Sequence, residues 1–150
     1  MVERPGKSFF ARHRTVGLDT NIFIYLVEDH PRYSDWCELL FGRIQRREII
    51  AVTSTVTLLE ALVLPYRLQN DGLAQKYYAL LYSFPNLIWH SVSIEIADLA
   101  AQLRARYRLN TPDAIQIATT IEANGTAFLG NDKGLKKVRE IECFALEDII

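Results

Sequence analysis

Short apolar runs alternate along the chain with longer stretches whose apolar positions recur at helical spacing. Thr15–Leu18 reads as a buried strand, followed by a helix from Thr20 to about Glu28. Pro31 suits the first position of a further helix, in which Tyr33, Trp36, Leu39, Leu40 and Ile44 repeat on one face. Residues 48–52 read as a second strand, and Thr53 or Ser54 caps a helix whose apolar face includes Leu59, Leu62, Val63 and Tyr66. A helix over 71–83, a strand over 87–92, a helix capped by Ser93 and a helix opened by Thr111 and Pro112 follow. Asn124-Gly125 stops the last helix, and strands are expected over 126–129 and 141–146. Strands separated by helices imply a parallel sheet covered on both faces. The expected fold class is α/β, a three-layer α/β/α sandwich with a central parallel sheet of about five strands.

Composition narrows this picture without naming an activity. The chain has 150 residues, 49% apolar and 23% charged, which suits one globular domain and excludes a disordered or collagen-like chain. A formal charge of −1 gives no global pull toward nucleic acid, so such binding needs local patches. Cys37 and Cys143 read as half-buried thiols in a reducing compartment. No apolar run is long enough to span a bilayer, and the start lacks the apolar core of a secretory signal, so the expected location is cytoplasmic, with no membrane partner. Residues 1–14 form a basic N-terminal extension, with Arg4, Lys7, Arg12 and Arg14 against Glu3, and read as a solvated terminus ahead of a domain over 15–150.

The informative signal is four acids in uncharged surroundings. Asp19 is the only charge between Thr15 and Val27, Glu60 between Ile49 and Tyr66, and Asp113 between Leu109 and Ile121, while Asp132 follows nine uncharged residues. Carboxylates are rarely buried unless paired or metal-bound. Asp19 could serve as a helix cap, Asp113 as a first-turn acid and Asp132 as a turn residue. Glu60, mid-helix in TLLEALVL, has no such excuse, though a solvent-facing stripe remains open to it.

Asp19 falls after the first expected strand and Asp132 after the fourth, where parallel sheets bind ligands. Two full charges ~4 Å apart repel by about 4 kcal/mol at an effective dielectric of 20, so a converged cluster must take up protons or bind cations. An oxygen-only donor set suits Mg²⁺ or Mn²⁺ rather than zinc. His13, His30 and His90 lie in unrelated contexts and read as incidental. Carboxylate-held Mg²⁺ acts on substrates that bring phosphate oxygens, and phosphodiester hydrolysis fits. Arg12, Arg14, Lys133, Lys136 and Lys137 are the basic residues expected to hold the polymer, with Arg43, Arg46 and Arg47 ranked below them.

LDTN at 18–21, the lone Glu60, TPDAIQIAT at 111–119 and NDKGL at 131–135 resemble, in order and spacing, the PIN domain, and within it the VapC-like ribonuclease toxins of type II toxin–antitoxin pairs. The resemblance spans about residues 15–146. It implies a five-stranded parallel sheet and an endoribonuclease using one or two Mg²⁺ or Mn²⁺ ions. It places the metal-holding catalytic acids on Asp19, Glu60, Asp113 and Asp132, with Asn21 and Asn131 orienting carboxylates or water. Gly130 departs from the Thr or Ser frequent in the family, which removes a hydroxyl near the site. The resemblance further implies an RNA substrate, a homodimer and a small antitoxin partner, for which Trp36, Tyr66, Tyr77, Tyr78 and Tyr82 are candidate contacts. The alternative is a non-catalytic RNA- or protein-binding module on the same fold, which the presence of all four acids argues against. A phosphotransferase using an aspartyl nucleophile would want a second acid at position 21, where Asn21 stands.

Overall fold

Five short strands build the sheet, and their residues explain why it is buried. The computed structural model describes residues 7–149. The strands are β1 (Thr15–Leu18), β2 (Ile50–Ser54), β3 (Leu87–His90), β4 (Ala127–Gly130) and β5 (Glu142–Ala145), all parallel in the order β3-β2-β1-β4-β5. The three central strands are apolar or neutral almost throughout, as covered parallel strands must be. Val16 is paired with Ala51 on one side and Ala127 on the other, which sets β1 at the centre. Gly17 is required there. A Cβ on it would stand 1.8 Å from Thr120 Oγ1, so the missing side chain lets a helix close onto the strand.

The helices are α1 (Lys7–Arg12), α2 (Thr20–Val27), α3 (Ser34–Gln45), α4 (Thr55–Arg67), α5 (Asp71–Ser83), α6 (Ile94–Tyr107) and α7 (Thr111–Glu122). Ser54, Asn70, Ser93 and Asn110 cap α4 to α7 by accepting from backbone N–H groups of the first turn. One apolar core joins residues of α2 to α5, such as Phe23, Leu40, Leu62 and Tyr77, to Val16, Leu18 and Leu129. A second joins α6 and α7 to Phe128, giving the three layers expected. The chain winds from β1 to β2 and β3 in one direction, then crosses to β4 and β5 in the other. The topological switch therefore lies between β1 and β4.

Four expectations change. Pro31 lies in a turn before α3, which begins at Ser34. The second strand starts at Ile50 because Glu48 is drawn into the preceding turn by Arg43 and Arg46. The described part of the extension is not a solvated tail. Phe9 of α1 is buried against Phe144, and the buried His13 bonds Thr126 Oγ1 at 2.8 Å through Nδ1. Glu3, Arg4 and the side chain of Lys7 lie outside what is described. Finally, α4 is turned from its expected face. Thr57, Ala61, Leu62 and Pro65 point inward, whereas Leu59, Val63 and Tyr66 are exposed. Both stripes are largely apolar, so periodicity could not choose between them, and polar partners beneath Thr57 decided it. Cys37 is buried and Cys143 half-buried, both free. No described helix is long and apolar enough to cross a membrane.

Candidate active site

The end of β1 delivers Asp19 to the switch point, its backbone N–H donating to Leu129 O at 2.9 Å. The residue is 8% exposed and caps α2, with Oδ1 accepting from Thr20 N at 2.8 Å. The other oxygen faces Gly130, where an added Cβ would come within 3.2 Å of Oδ2. Burial pushes the Asp19 carboxyl up to about 7, helped by the charges of Asp113, Glu60 and Asp132 and opposed by the Thr20 N–H. Asp113, half-buried in the first turn of α7, is raised too, first by burial and then by Asp132 and Glu60, while the Asn110 side chain opposes. Each of the four acids thus lies within electrostatic reach of the group, although they come from four separated segments.

Local roles coexist with this convergence. Asp132 Oδ1 accepts from Gly134 N at 2.8 Å and opens the 3₁₀ turn Lys133–Lys137. Glu60 lies half-buried on the inner side of α4 and accepts from Thr20 Oγ1 at 2.7 Å. The solvent-facing stripe left open for it is therefore not its place. Among the described residues, no three His, Cys, Asp or Glu side chains are drawn onto one point. A cation bound among the four acids would remove their mutual repulsion. The donor set of four carboxylates, one of them almost buried and held near neutrality, fits a hard divalent ion.

The other candidates divide. Asn131 donates through Nδ2 to Tyr25 OH at 3.0 Å, tying the loop after β4 to α2. Asn21 is half-exposed in the first turn of α2. Arg12 and Arg14 precede β1 and stand at the amino end of the sheet, about 17 Å of strand from Asp19, which takes them out of this pocket. Lys133 adjoins Asp132 and lies 3.6 Å from Glu147, which also holds Arg32 at 3.3 Å. Arg32 was not among the expected cations. Lys136 pairs with Asp148, and Lys137 is exposed. Of the aromatic candidates, Tyr66 and Tyr82 are exposed, Trp36 and Tyr78 pack against the core, and Tyr77 is buried. A cleft of about 780 Å³ opens elsewhere, between Thr126, Arg139 and β5, and contains none of the four acids.

Sequence reasoning missed a buried polar group beneath Glu60. Thr20, Thr53, Thr57 and Gln116 are each no more than 5% exposed and are hydrogen-bonded to one another. The signal was present in the spacing. Thr57 stands three residues before Glu60 and Gln116 three after Asp113, each pair on one helix face.

A family model described as PIN domain matches residues 16–141. No curated protein matches the chain in sequence. Among solved structures, VapBC2 from Rickettsia felis bound to a promoter DNA fragment superposes with a TM-score of 0.67 at 18% identity, over 87% of this chain and 98% of that one. A toxin–antitoxin complex from Klebsiella pneumoniae gives 0.65 at 22% identity, over 84% and 94%. The sarcin-ricin-loop-cleaving toxin VapC20 of Mycobacterium tuberculosis gives 0.65 at 16%, over 85% and 98%.

Proposed function

Since the chain belongs to the PIN domain family, we propose that it is a divalent-metal-dependent endoribonuclease, acting as the toxin of a toxin–antitoxin pair. The observation that carries this reading is the almost buried Asp19 carboxyl, raised to about 7 amid three further acids. A fold does not keep four like charges at a ligand-binding edge for stability, because each raises the cost of ionising the others. Asp19, Glu60, Asp113 and Asp132 would hold one or two Mg²⁺ or Mn²⁺ ions. When bound there, the metal supplies Lewis-acid charge for a phosphate oxygen and lowers the pKa of water.

The rest of the chemistry belongs to this chain. The Thr20 N–H fixes one Asp19 oxygen, leaving the other toward the pocket. Thr20 Oγ1 holds Glu60. Lys133 and Arg32, both on Glu147, place positive charge beside Asp132, where an RNA backbone would pass. The cytoplasmic setting and the homodimer belong to the same reading, and the likeness to toxin–antitoxin complexes supports its small antitoxin partner. The test is cleavage of a mixed RNA substrate by the purified chain with Mg²⁺ and with EDTA, using wild type, Asp19→Asn and Asp113→Asn. We expect EDTA-sensitive cleavage by wild type only. Cleavage that persists in both variants rejects the assignment.

A further inference from the structure

The polar group under Glu60 has two fixed ends, and they determine the direction of every proton within it. The Ser54 N–H can only donate, and it lies 3.3 Å from Gln116 Oε1, which identifies that atom as the amide oxygen and sets Nε2 on the opposite side. The Leu18 carbonyl can only accept, and Thr53 Oγ1 donates to it at 3.0 Å. Thr53 has then no proton left, so across their 2.7 Å contact Thr57 is the donor. Thr57 in turn accepts from Gln116 Nε2. The second Nε2 hydrogen points at Thr20 Oγ1, 3.4 Å away. An amide nitrogen does not accept, and Thr57 Oγ1, which keeps one lone pair, is the more distant acceptor at 3.4 Å. The single Thr20 proton is therefore directed to the nearest acceptor, Glu60 Oε1 at 2.7 Å.

We propose that Gln116 is a positioning residue, whose buried amide forces the Thr20 hydroxyl to donate to Glu60 and so keeps that carboxylate turned into the acid pocket for a divalent cation. The proposal rests on the metal-dependent reading above. Gln116 is 1% exposed and hydrogen-bonds none of the four acids, so it acts on Glu60 only through Thr20 and Thr57. An apolar side chain of the same length frees Thr20 to turn its proton elsewhere, and Glu60, half-exposed, swings toward water. Residues that orient metal-holding side chains typically set affinity by about 10- to 100-fold.

The experiment measures Mn²⁺ binding to the full chain by titration calorimetry without RNA, and cleavage kinetics and thermal melts beside it. Gln116→Met and Thr20→Val should weaken Mn²⁺ binding by about 10-fold or more, lower kcat and leave KM for RNA unchanged. Thr20→Ser keeps the hydroxyl and should recover most of the affinity that Thr20→Val loses. A merely structural role predicts lower melting temperatures with wild-type Mn²⁺ affinity, and that result overturns the proposal. Should Gln116→Met fail to fold, the Thr20 pair decides, since equal Mn²⁺ affinity in Thr20→Val and Thr20→Ser is equally fatal. A wild-type chain that binds no Mn²⁺ and cleaves in EDTA would overturn the metal-dependent reading, and the positioning role with it. Loss confined to the relay variants, or its absence there, concerns this proposal alone.

Discussion

The two ends of the sheet treat charge in opposite ways. At the amino end, Arg12 lies 3.8 Å from Glu142, and Arg43 and Arg46 lie 3.3 and 3.2 Å from Glu48. Buried His13 sits there among Phe9 and Phe144, and burial lowers its pKa so that it stays neutral. At the carboxyl end, none of the ion pairs among the described residues involves Asp19, Glu60, Asp113 or Asp132. The first arrangement lowers the energy of the chain on its own. The second raises it and is relieved only by protons or a bound cation. Stability and function are thus written at opposite edges of the same strands.

The sharpest way to break this contrast is to neutralise one acid. Asp19→Asn and Asp113→Asn should each reduce cleavage more than about 100-fold, the scale seen when one electrostatic group leaves a reacting centre. In EDTA at neutral pH, Asp19→Asn should melt higher than wild type. A fall in both activity and melting temperature would place Asp19 among residues that merely support the fold.

A change in the middle of β1 should do the reverse. Gly17→Ala drives a methyl against Thr120, and overpacking of this kind destabilises by about 1–3 kcal/mol, or about 2–4 °C of melting temperature per kcal/mol. Pairing it with Thr120→Ala should restore much of the loss, as measured by denaturant titration of the four-member cycle. The single variant, where folded, should still cleave.

The acid end also sets a pH dependence. Between about 4 and 7, the folded chain holds the Asp19 proton that the unfolded chain releases. Stability in EDTA should therefore fall as pH rises through that window, by up to about 1.4 kcal/mol per pH unit, and level off above about 7. Asp113, raised by like causes, adds with the same sign. Saturating Mg²⁺ should flatten the slope, read from melts across pH. A wild-type slope equal to that of Asp19→Asn would remove the carboxyl from this account.

The smallest effect is expected on the outer side of α4. Leu59→Gln should change stability by no more than about 0.5 kcal/mol, as surface substitutions do, although periodicity places Leu59 in the core. A loss of several kcal/mol would return that face to the interior.

That last contrast shows how legible the molecule was from its residues. The strands, the cap at Ser93, a cap at Thr53 or Ser54 and the layer order follow from local pattern, because a strand buried on both faces and a hydroxyl-capped helix announce themselves within a few residues. The four acids were visible as lone charges in neutral windows. The orientation of α4 was not, since it depends on Thr53 and Gln116 from other elements, and no window around Leu59 contains them. The packing of α1 was hidden for a similar reason. Phe9 is buried against Phe144, 135 positions later, and the basic residues around it suggested water instead. Arg12 and Arg14 stand close to Asp19 along the chain but a strand's length from it once β1 is extended.

The bare backbone of Gly130 leaves Asp19 Oδ2 without a neighbour on one side, in a gap only one carbon wide. A Cβ there would stand 3.2 Å from the oxygen and crowd it, and a serine would add to the same crowding a hydroxyl able to donate to it. The last residue of β4 therefore works as a trimming screw for the pocket's grip, adjustable atom by atom without disturbing the sheet that carries it.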